Sequence, residues 1–293
     1  MVAALGSASW ALWGLGYPEQ ALSRSHEALR LAQELGHPYS QAHALTYTAG
    51  LHQRRREVPA VQERAEALIE FSREQGFLPV LTAGIIIRGC VLVEQGQGEE
   101  GIAQIRQGMA ACLATGLESG RSSFLGVLAE AYGKVGQAEE GLTALAEALA
   151  AVDRTGERFY EAELYRLKGE LTLQQSSVQG LAFSVKSTQK VKGKGQKAKV
   201  ETNPQPLTPS PQAEAEAEAC FHKAIEIARW QQAKSWERRA VMSLARSWQQ
   251  QGKTKEAWQM LAEIYNWFTE GFDTADLQEA KTLLEELEGK GFD

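Results

Sequence analysis

Apolar residues recur every three or four positions along most of the chain, in runs that short polar stretches interrupt. Leu125, Leu128 and Tyr132 belong to one run; the polar stretch GQAEE follows it, and Leu142 and Leu145 belong to the next run. Apolar side chains at this spacing line one face of an α-helix, and a short polar stretch between two such faces is a turn. The pattern therefore predicts an all-α protein built from helical hairpins.

Glycines divide this pattern into units with a period of 40. The first series closes each hairpin, as a C-terminal cap glycine does, and its members are Gly36, Gly76, Gly116 and Gly156. The second series stands at the turn inside a hairpin, with an arginine replacing glycine once, and its members are Gly16, Arg56, Gly96, Gly136 and Gly252. Glu139 and Glu140 then fall in the first turn of a helix, where the macrodipole favours carboxylates. We interpret this motif as structural and not as a catalytic acid pair.

Small residues flank the turns with the same period. Before the turn they are Ser9, Ala49, Gly89, Ala129, Gly169 and Ala245. After the turn they are small to medium in size: Ala21, Val61, Gly101, Gly141, Ala217 and Ala257. Bulk at the point where two helices approach most closely would push them apart. We expect the two helices of each hairpin to cross at these positions.

Six hairpins follow, starting near residues 1, 41, 81, 121, 161 and 237, and the fifth is interrupted at its turn. Removing the stretch 176–211 restores the period. This stretch is rich in Lys, Ser, Thr and Gln and holds four of the chain's eight prolines, so it cannot bury enough apolar surface to order itself. We therefore divide the chain into repeats 1 to 4 with the first helix of repeat 5 (1–175), a disordered insert (176–212), the rest of repeat 5 with repeat 6 (213–272), and a C-terminal capping helix and tail (273–293).

The sequence predicts a covering helix at the C-terminal end of the repeat array but not at its N-terminal end. Near the C-terminus, Asp273 or Thr274 can cap a last helix that carries Leu277 and Leu283 on one side. This helix is expected to cover the apolar face that a terminal repeat exposes. The first helix begins almost at Met1, so we expect a partner or upstream sequence to pack there, and whether Met1 is the biological start stays open.

Composition and charge limit the cellular compartment and the kinds of partner that we expect for this protein. The net charge of −6 argues against a general attraction to nucleic acid or to acidic membrane surfaces. Cys90, Cys112 and Cys220 form no CxxC pair and no ligand-spaced set, which predicts reduced thiols. No stretch approaches the ~20 apolar residues of a membrane span, and the apolar N-terminus lacks the basic region of a signal peptide. We expect a cytoplasmic protein that binds neither nucleic acid nor membrane.

Sequence motifs for catalysis or cofactor binding are incomplete in this chain. Residues 191–200, VKGKGQKAKV, suggest a phosphate-binding loop, but Lys194 is followed by glycine where a P-loop needs Ser or Thr. The five histidines are scattered and form no metal-ligand set. Nothing local resembles a nucleophile elbow. We predict no enzymatic activity, no cofactor and no metal site.

The small-residue and turn-glycine positions resemble those of the tetratricopeptide repeat (TPR). The period of 40 is longer than the 34 of the ordinary TPR, and the proline that usually ends each unit is mostly absent. Segments such as ALIEFSREQGF, AEAYGKVGQAEEGL and WFTEGFDTADLQEAKTLLEEL are similar to the C-terminal solenoid of bacterial signalling ATPases fused to class III adenylate or guanylate cyclases. Related solenoids occur in maltose-type transcription activators. The resemblance implies a right-handed superhelical solenoid without the catalytic parts of those proteins.

A curled solenoid presents the first helix of each repeat along a concave groove. By periodicity the groove face holds Trp10, Trp13, His43, Thr46, Gln53, Cys90, Glu130, Glu163, Arg166, Glu170, Arg239, Arg246 and Gln249. Two functions remain open. The first is a scaffold that binds a peptide or protein segment in the groove. The second is an effector-sensing arm, or gene fragment, of a signalling ATPase or nucleotidyl cyclase that binds a small molecule.

Overall fold

The computed structural model describes residues 1–116, 118–191 and 209–289, and this part of the chain contains thirteen α-helices and no strand. The all-α prediction is therefore confirmed. The helices are α1 (Val2–Leu15), α2 (Pro18–Leu35), α3 (Pro38–Arg55), α4 (Val58–Gln75), α5 (Leu78–Glu94), α6 (Gly98–Ala114), α7 (Arg121–Lys134), α8 (Ala138–Thr155), α9 (Glu161–Val191), α10 (Pro211–Trp230), α11 (Lys234–Gln250), α12 (Thr254–Tyr265) and α13 (Ala275–Gly289).

Both glycine series stand where the period places them. Every member has a positive φ, including the arginine that replaces glycine: Gly16, Gly36, Arg56, Gly76, Gly96, Gly116, Gly136, Gly156 and Gly252. At Gly136, φ is 81°, and the next residue, Gln137, donates its backbone N–H back to the Tyr132 carbonyl at 2.9 Å. A side chain costs free energy in this left-handed conformation, which explains the glycine.

The small residues mark the helix crossings, as expected. A Cβ added at Gly101 would lie 2.5 Å from the carbonyl oxygen of Gly89, and one added at Gly169 would lie 2.5 Å from the ring of Phe221. Ala129 is fully buried in the same position of the fourth repeat. Backbone and side chains fill the space that any larger residue would need.

The helices form two layers that curve into a closed ring. Odd-numbered helices from α1 to α11 each contact the next odd-numbered helix, and α11 returns to contact α1. Each even-numbered helix packs on the odd-numbered helices before and after it. The capping helix α13 packs on α11 and α12, and buries Leu277, Leu283 and Leu287. Repeats 1 and 6 are therefore neighbours, a contact that the periodicity did not predict.

Direct hydrogen bonds join the two ends of the ring. The Ser235 hydroxyl donates to the carbonyl of Trp13 at 2.5 Å. The carboxylate of Glu270, in the loop between α12 and α13, accepts from the backbone N–H groups of Glu19 at 2.8 Å and Gln20 at 3.1 Å. These contacts stabilise the closed ring between segments that lie far apart in the chain.

The expected insert meets the repeat at the expected place. The backbone N–H of Ser210 donates to the Ser176 hydroxyl at 2.9 Å, so the two ends of the interruption are adjacent. α9 continues past the start of the expected insert and ends at Val191. No proline precedes Pro204 in this segment, so nothing removes a backbone N–H from the helix there. Residues 192–208 lie outside the described residues, and the proposed division of the chain into four parts stays a prediction.

Candidate binding surface

All the residues expected to line the groove lie on odd-numbered helices, which form the inner wall of the ring. Trp10 and Trp13 lie on α1, and His43, Thr46 and Gln53 on α3. Cys90 lies on α5 and Glu130 on α7. The remaining members lie on α9 and α11: Glu163, Arg166, Glu170, Arg239, Arg246 and Gln249. Their exposure separates them into a buried set and an accessible set.

The buried set packs where repeat 1 meets repeat 6. Trp13 is 2% exposed and makes an edge-to-face contact with Trp236 of α11, at 4.6 Å between ring centroids. The guanidinium of Arg239 lies 5.3 Å from the Trp13 ring centroid and 5.2 Å from that of Trp236. Glu163 is 1% exposed. Packing against repeat 6 therefore covers Trp13, and neither Trp13 nor Glu163 is open to a ligand in the closed ring.

Glu163 lies at the centre of an ionic network. Both of its oxygens accept from Arg166, at 2.7 and 2.8 Å, and Arg239 lies 3.7 Å away. Arg166 also pairs with Glu170 at 2.5 Å. Burial by itself would lower the pKa of Arg166, but Glu163 and Glu170 raise it well above its ordinary value. These predicted groove residues lie together in the structure, and their charges neutralise one another.

Asp276 is a second ionic centre, which the groove prediction missed. Its carboxylate accepts from Arg238 at 2.5 Å and Arg239 at 2.9 Å, and lies 3.4 Å from Arg56. Burial by itself would raise the pKa of Asp276, but Arg238 and Arg239 hold it well below its ordinary value. The sequence places Asp276 in the first turn of a helix, which predicts a favourable dipole interaction and not a buried contact with α11.

The accessible set lies on α7, α9 and α11. Glu130 pairs with Lys134 at 3.1 Å, and Arg246 pairs with Glu279 of α13 at 3.3 Å. The side chains of these four residues and of Glu170 are 38–47% exposed. Acidic and basic groups therefore alternate on the part of the inner wall that solvent reaches.

A groove extends this accessible surface between α11 and α13. Its volume is about 350 Å³, and its lining includes Arg246, Gln278, Glu279, Leu283 and Glu286. The nearby Gln249 side chain has a buried amide nitrogen without a hydrogen-bond partner in the described residues. Arg246 of the groove prediction therefore lines a groove with charged walls, and Gln249 follows it three residues later on α11.

The N-terminal part of the inner wall is aromatic. Trp10 packs edge-on against Tyr47 with ring centroids 4.9 Å apart. His43 stacks on Tyr47 at 6.3 Å and makes an edge-to-face contact with the exposed ring of Tyr39 at 4.6 Å. Burial lowers the pKa of His43, which favours the neutral imidazole. Further along the wall, Gln53 donates its amide to the Cys90 sulfur at 3.2 Å.

Arg54, next to the predicted Gln53, is a cation without a carboxylate partner in the described part of the chain. Its guanidinium lies 3.8 Å from the Trp10 ring centroid and 5.6 Å from that of Phe159. One nitrogen donates to the Gly50 carbonyl at 2.9 Å. Burial lowers the pKa of Arg54 to about 10. The run RRR at 54–56 was visible in the sequence, but only the packing separates Arg54 from its two paired neighbours.

In the described ranges, no cluster of three or more His, Cys, Asp or Glu side chains could hold a metal ion. None of the helices in these ranges combines the length and the apolar character needed to cross a membrane.

Comparison with known proteins identifies the fold. No protein-family model matches the chain, and no curated protein matches it in sequence. A similar solved structure is a signal transduction ATPase with numerous domains (STAND) protein with a tetratricopeptide repeat sensor, from Pyrococcus horikoshii. The TM-score is 0.50 with 12% sequence identity, and the match covers 95% of this chain and 37% of the other. The likeness supports a TPR-like α solenoid, and this chain corresponds to only part of the other protein's length.

Proposed function

We propose that this chain is a non-catalytic binding module that takes up a peptide or protein segment along the accessible part of its inner wall. The observation that carries the proposal is the row of exposed, alternating charges on α7, α9 and α11, which leads into the groove between α11 and α13. Repeat solenoids offer extended inner surfaces of this kind to their partners.

The energetics of these charges favour exchange with a ligand. Exposed ion pairs contribute only about 0–1 kcal/mol each to stability, because water already solvates both partners. A peptide can therefore replace the Arg246–Glu279 contact with its own charged groups at little cost to the fold. We place the peptide surface on Glu130, Glu170, Arg246 and Gln249, and leave out the covered Trp13 and Glu163.

A random-peptide library displayed on phage tests this proposal without a known partner. We expect selection on the purified chain to yield peptides with charges of both signs that bind in solution. Glu170→Lys and Arg246→Glu should each weaken the binding of these peptides by about tenfold, which corresponds to a loss of about 1.4 kcal/mol in binding free energy. Fluorescence anisotropy of a labelled selected peptide measures the change.

Matched variants on the outer layer serve as controls. Glu74→Lys on α4 and Arg106→Glu on α6 make the same charge changes at exposed positions outside the inner wall. Peptides that lose affinity equally for control and inner-wall variants would show only a charge effect. Peptides that bind the inner-wall variants as tightly as the wild type would contradict the proposed surface.

The second candidate function is an effector-sensing arm of a cytoplasmic signalling ATPase or nucleotidyl cyclase. The TPR sensor in the similar STAND protein supports it, as does the resemblance of the sequence segments to cyclase-fused ATPases. The specific observation in its favour is Arg54, a charge that the described residues leave without an anionic partner. A sensor predicts binding of a small molecule to the isolated chain, whereas a scaffold does not require it.

A further inference from the structure

Two hydrogen-bond donors near the Phe159 ring have no partner among the described residues. The Nε of Arg54 is buried and has no hydrogen-bond partner among the described residues. The indole nitrogen of Trp236 is likewise without a partner there, in a side chain that is only 1% exposed. Arg54 lies 5.6 Å from the Phe159 ring centroid, and the Trp236 ring centroid lies 6.3 Å from it. An unused buried donor is costly, so such donors often mark the place of an absent acceptor.

The local charge around these donors is positive. Apart from burial, the groups among the described residues that influence the ionisation of Arg54 are the Tyr160 hydroxyl and the like-charged Arg239, and neither is a carboxylate. Arg239 donates to the backbone carbonyl of Arg54 at 2.6 Å, which places its guanidinium beside the Arg54 backbone. Arg239 has Asp276 and Glu163 as partners, whereas the described residues give Arg54 aromatic rings and a backbone carbonyl but no carboxylate. The unneutralised charge is therefore that of Arg54.

Solvent reaches this place through Phe159. Its ring is 41% exposed, on the short connection between α8 and α9, and Arg54 and Trp10 are only half-buried. The ring offers an apolar face beside the cation. A ligand could thus place an acidic group on Arg54 and an apolar body against Phe159.

We propose that Arg54, Phe159 and Trp236 form a binding site for a small organic anion with a carboxylate or phosphate group. The guanidinium of Arg54 donates to the anionic group, and the Trp236 indole N–H supplies a second donor when Phe159 moves aside. Charge-assisted hydrogen bonds from arginine are among the stronger polar contacts in proteins. Since α3 carries Arg54 and α11 carries Trp236, the bound anion also links repeat 2 to repeat 6 across the ring closure.

This inference rests on the effector-sensing candidate and names the chemical class of its ligand. The test is calorimetric titration of the full chain at constant ionic strength with benzoate, with inorganic phosphate and with the neutral analogue benzamide. We expect saturable binding at one site by benzoate, by phosphate or by both, and binding of benzamide at least about tenfold weaker. Tighter binding of benzoate would identify a carboxylate ligand with an apolar body, and tighter binding of phosphate would identify a phosphate ligand.

Substitutions assign the binding to the site. Arg54→Met keeps a side chain that packs on Trp10, and it should weaken binding of the anion by at least about tenfold. Trp236→Phe keeps an aromatic ring without the N–H donor, and it should weaken binding of the anion by a smaller factor. Arg73→Met, at an exposed arginine of α4, should leave the affinity unchanged. If circular dichroism shows that Arg54→Met is unfolded, Arg54→Gln takes its place.

Two results would overturn the proposal: no saturable binding of benzoate or phosphate, or equal affinity in the wild type and the Arg54 variant. The peptide scaffold is judged separately, because its selected peptides depend on Glu170 and Arg246. An Arg54 variant that still binds those peptides but no anion would support both proposals. If only the Glu170 and Arg246 variants lose peptide binding, the anion proposal is judged by the benzoate and phosphate titrations alone.

Discussion

Glu270 caps the helix that begins beside Glu19, from the opposite end of the chain. Its Oε1 accepts from the backbone N–H of Glu19 at 2.8 Å, and in return the Glu19 carboxylate accepts from the Gly271 N–H at 2.9 Å. Tyr17, at the N-cap of α2, supplies no side-chain cap of its own. The free N–H groups that a helix normally satisfies locally are thus used to close the ring.

Glu270→Ala should destabilise the protein by about 1 kcal/mol, the usual cost of losing an N-cap side chain. The carboxylate also lies at the positive end of the α2 dipole, which adds to the loss. Urea unfolding followed by circular dichroism measures the change. Glu263→Ala, at an exposed position of α12, should stay within about 0.5 kcal/mol of the wild type, and an equal loss in both variants would argue against the cap.

Asp276→Asn should lower the free energy of unfolding by about 3 kcal/mol, considerably more than Glu270→Ala does. The reason is that it leaves the buried charges of Arg238 and Arg239 without their carboxylate. Asparagine has nearly the same shape, so the loss reports charge and not packing. Equilibrium urea unfolding gives the free energy. A loss no larger than that of an ordinary surface substitution would mean that water compensates the two arginines, and would refute the buried network.

The same carboxylate predicts a dependence of stability on acid. The pKa of Asp276 is lowered in the folded state, so its contribution is fully present above its unfolded pKa of about 3.9 and is lost as the pH falls toward the folded value. The difference in unfolding free energy between wild type and Asp276→Asn should therefore be constant from about pH 7 to 5 and shrink below about pH 4. Urea titrations at several pH values measure it; a constant difference down to pH ~3 would contradict the assignment.

Gly101→Ala should destabilise the third hairpin by about 1–3 kcal/mol, because its Cβ would lie 2.5 Å from the Gly89 carbonyl oxygen and 2.6 Å from Val93 Cγ2. Backbone cannot move aside as a flexible side chain can. Gly289→Ala is the matched control, since no atom of the described residues lies within 4 Å of its added Cβ. Thermal unfolding of the two variants should separate them clearly, and equal melting temperatures would show that α5 and α6 can move apart freely.

Cys90 should react slowly with thiol reagents in the folded protein. Burial and the nearby Glu130 carboxylate raise its pKa to about 12, so the thiolate at pH 8 is about a thousandfold scarcer than for a free cysteine. Reaction with Ellman's reagent, compared between wild type and Cys90→Ser, isolates its rate. Fast native labelling that disappears in Cys90→Ser would show the thiol to be accessible and ionised.

The groove prediction shows how far helical periodicity reaches. All of its residues lie on the odd-numbered helices of the inner wall, because a helix has a fixed angle per residue and the repeats align it. It could not separate buried Trp13 and Glu163 from exposed Arg246, because that division depends on which helix lies opposite. It also selected Gln53 and missed Arg54, whose neighbours Trp10 and Phe159 come from other repeats.

The sequence by itself determined the repeat. Left-handed turns need glycine, close helix crossings need small residues, and both requirements are local enough to recur in each successive hairpin. Only the tertiary structure decided the closure of the ring, through contacts such as Glu270 with Glu19 and Trp13 with Trp236. Small rotations between successive repeats add up around the solenoid, so the meeting of its two ends depends on their sum and on no single repeat.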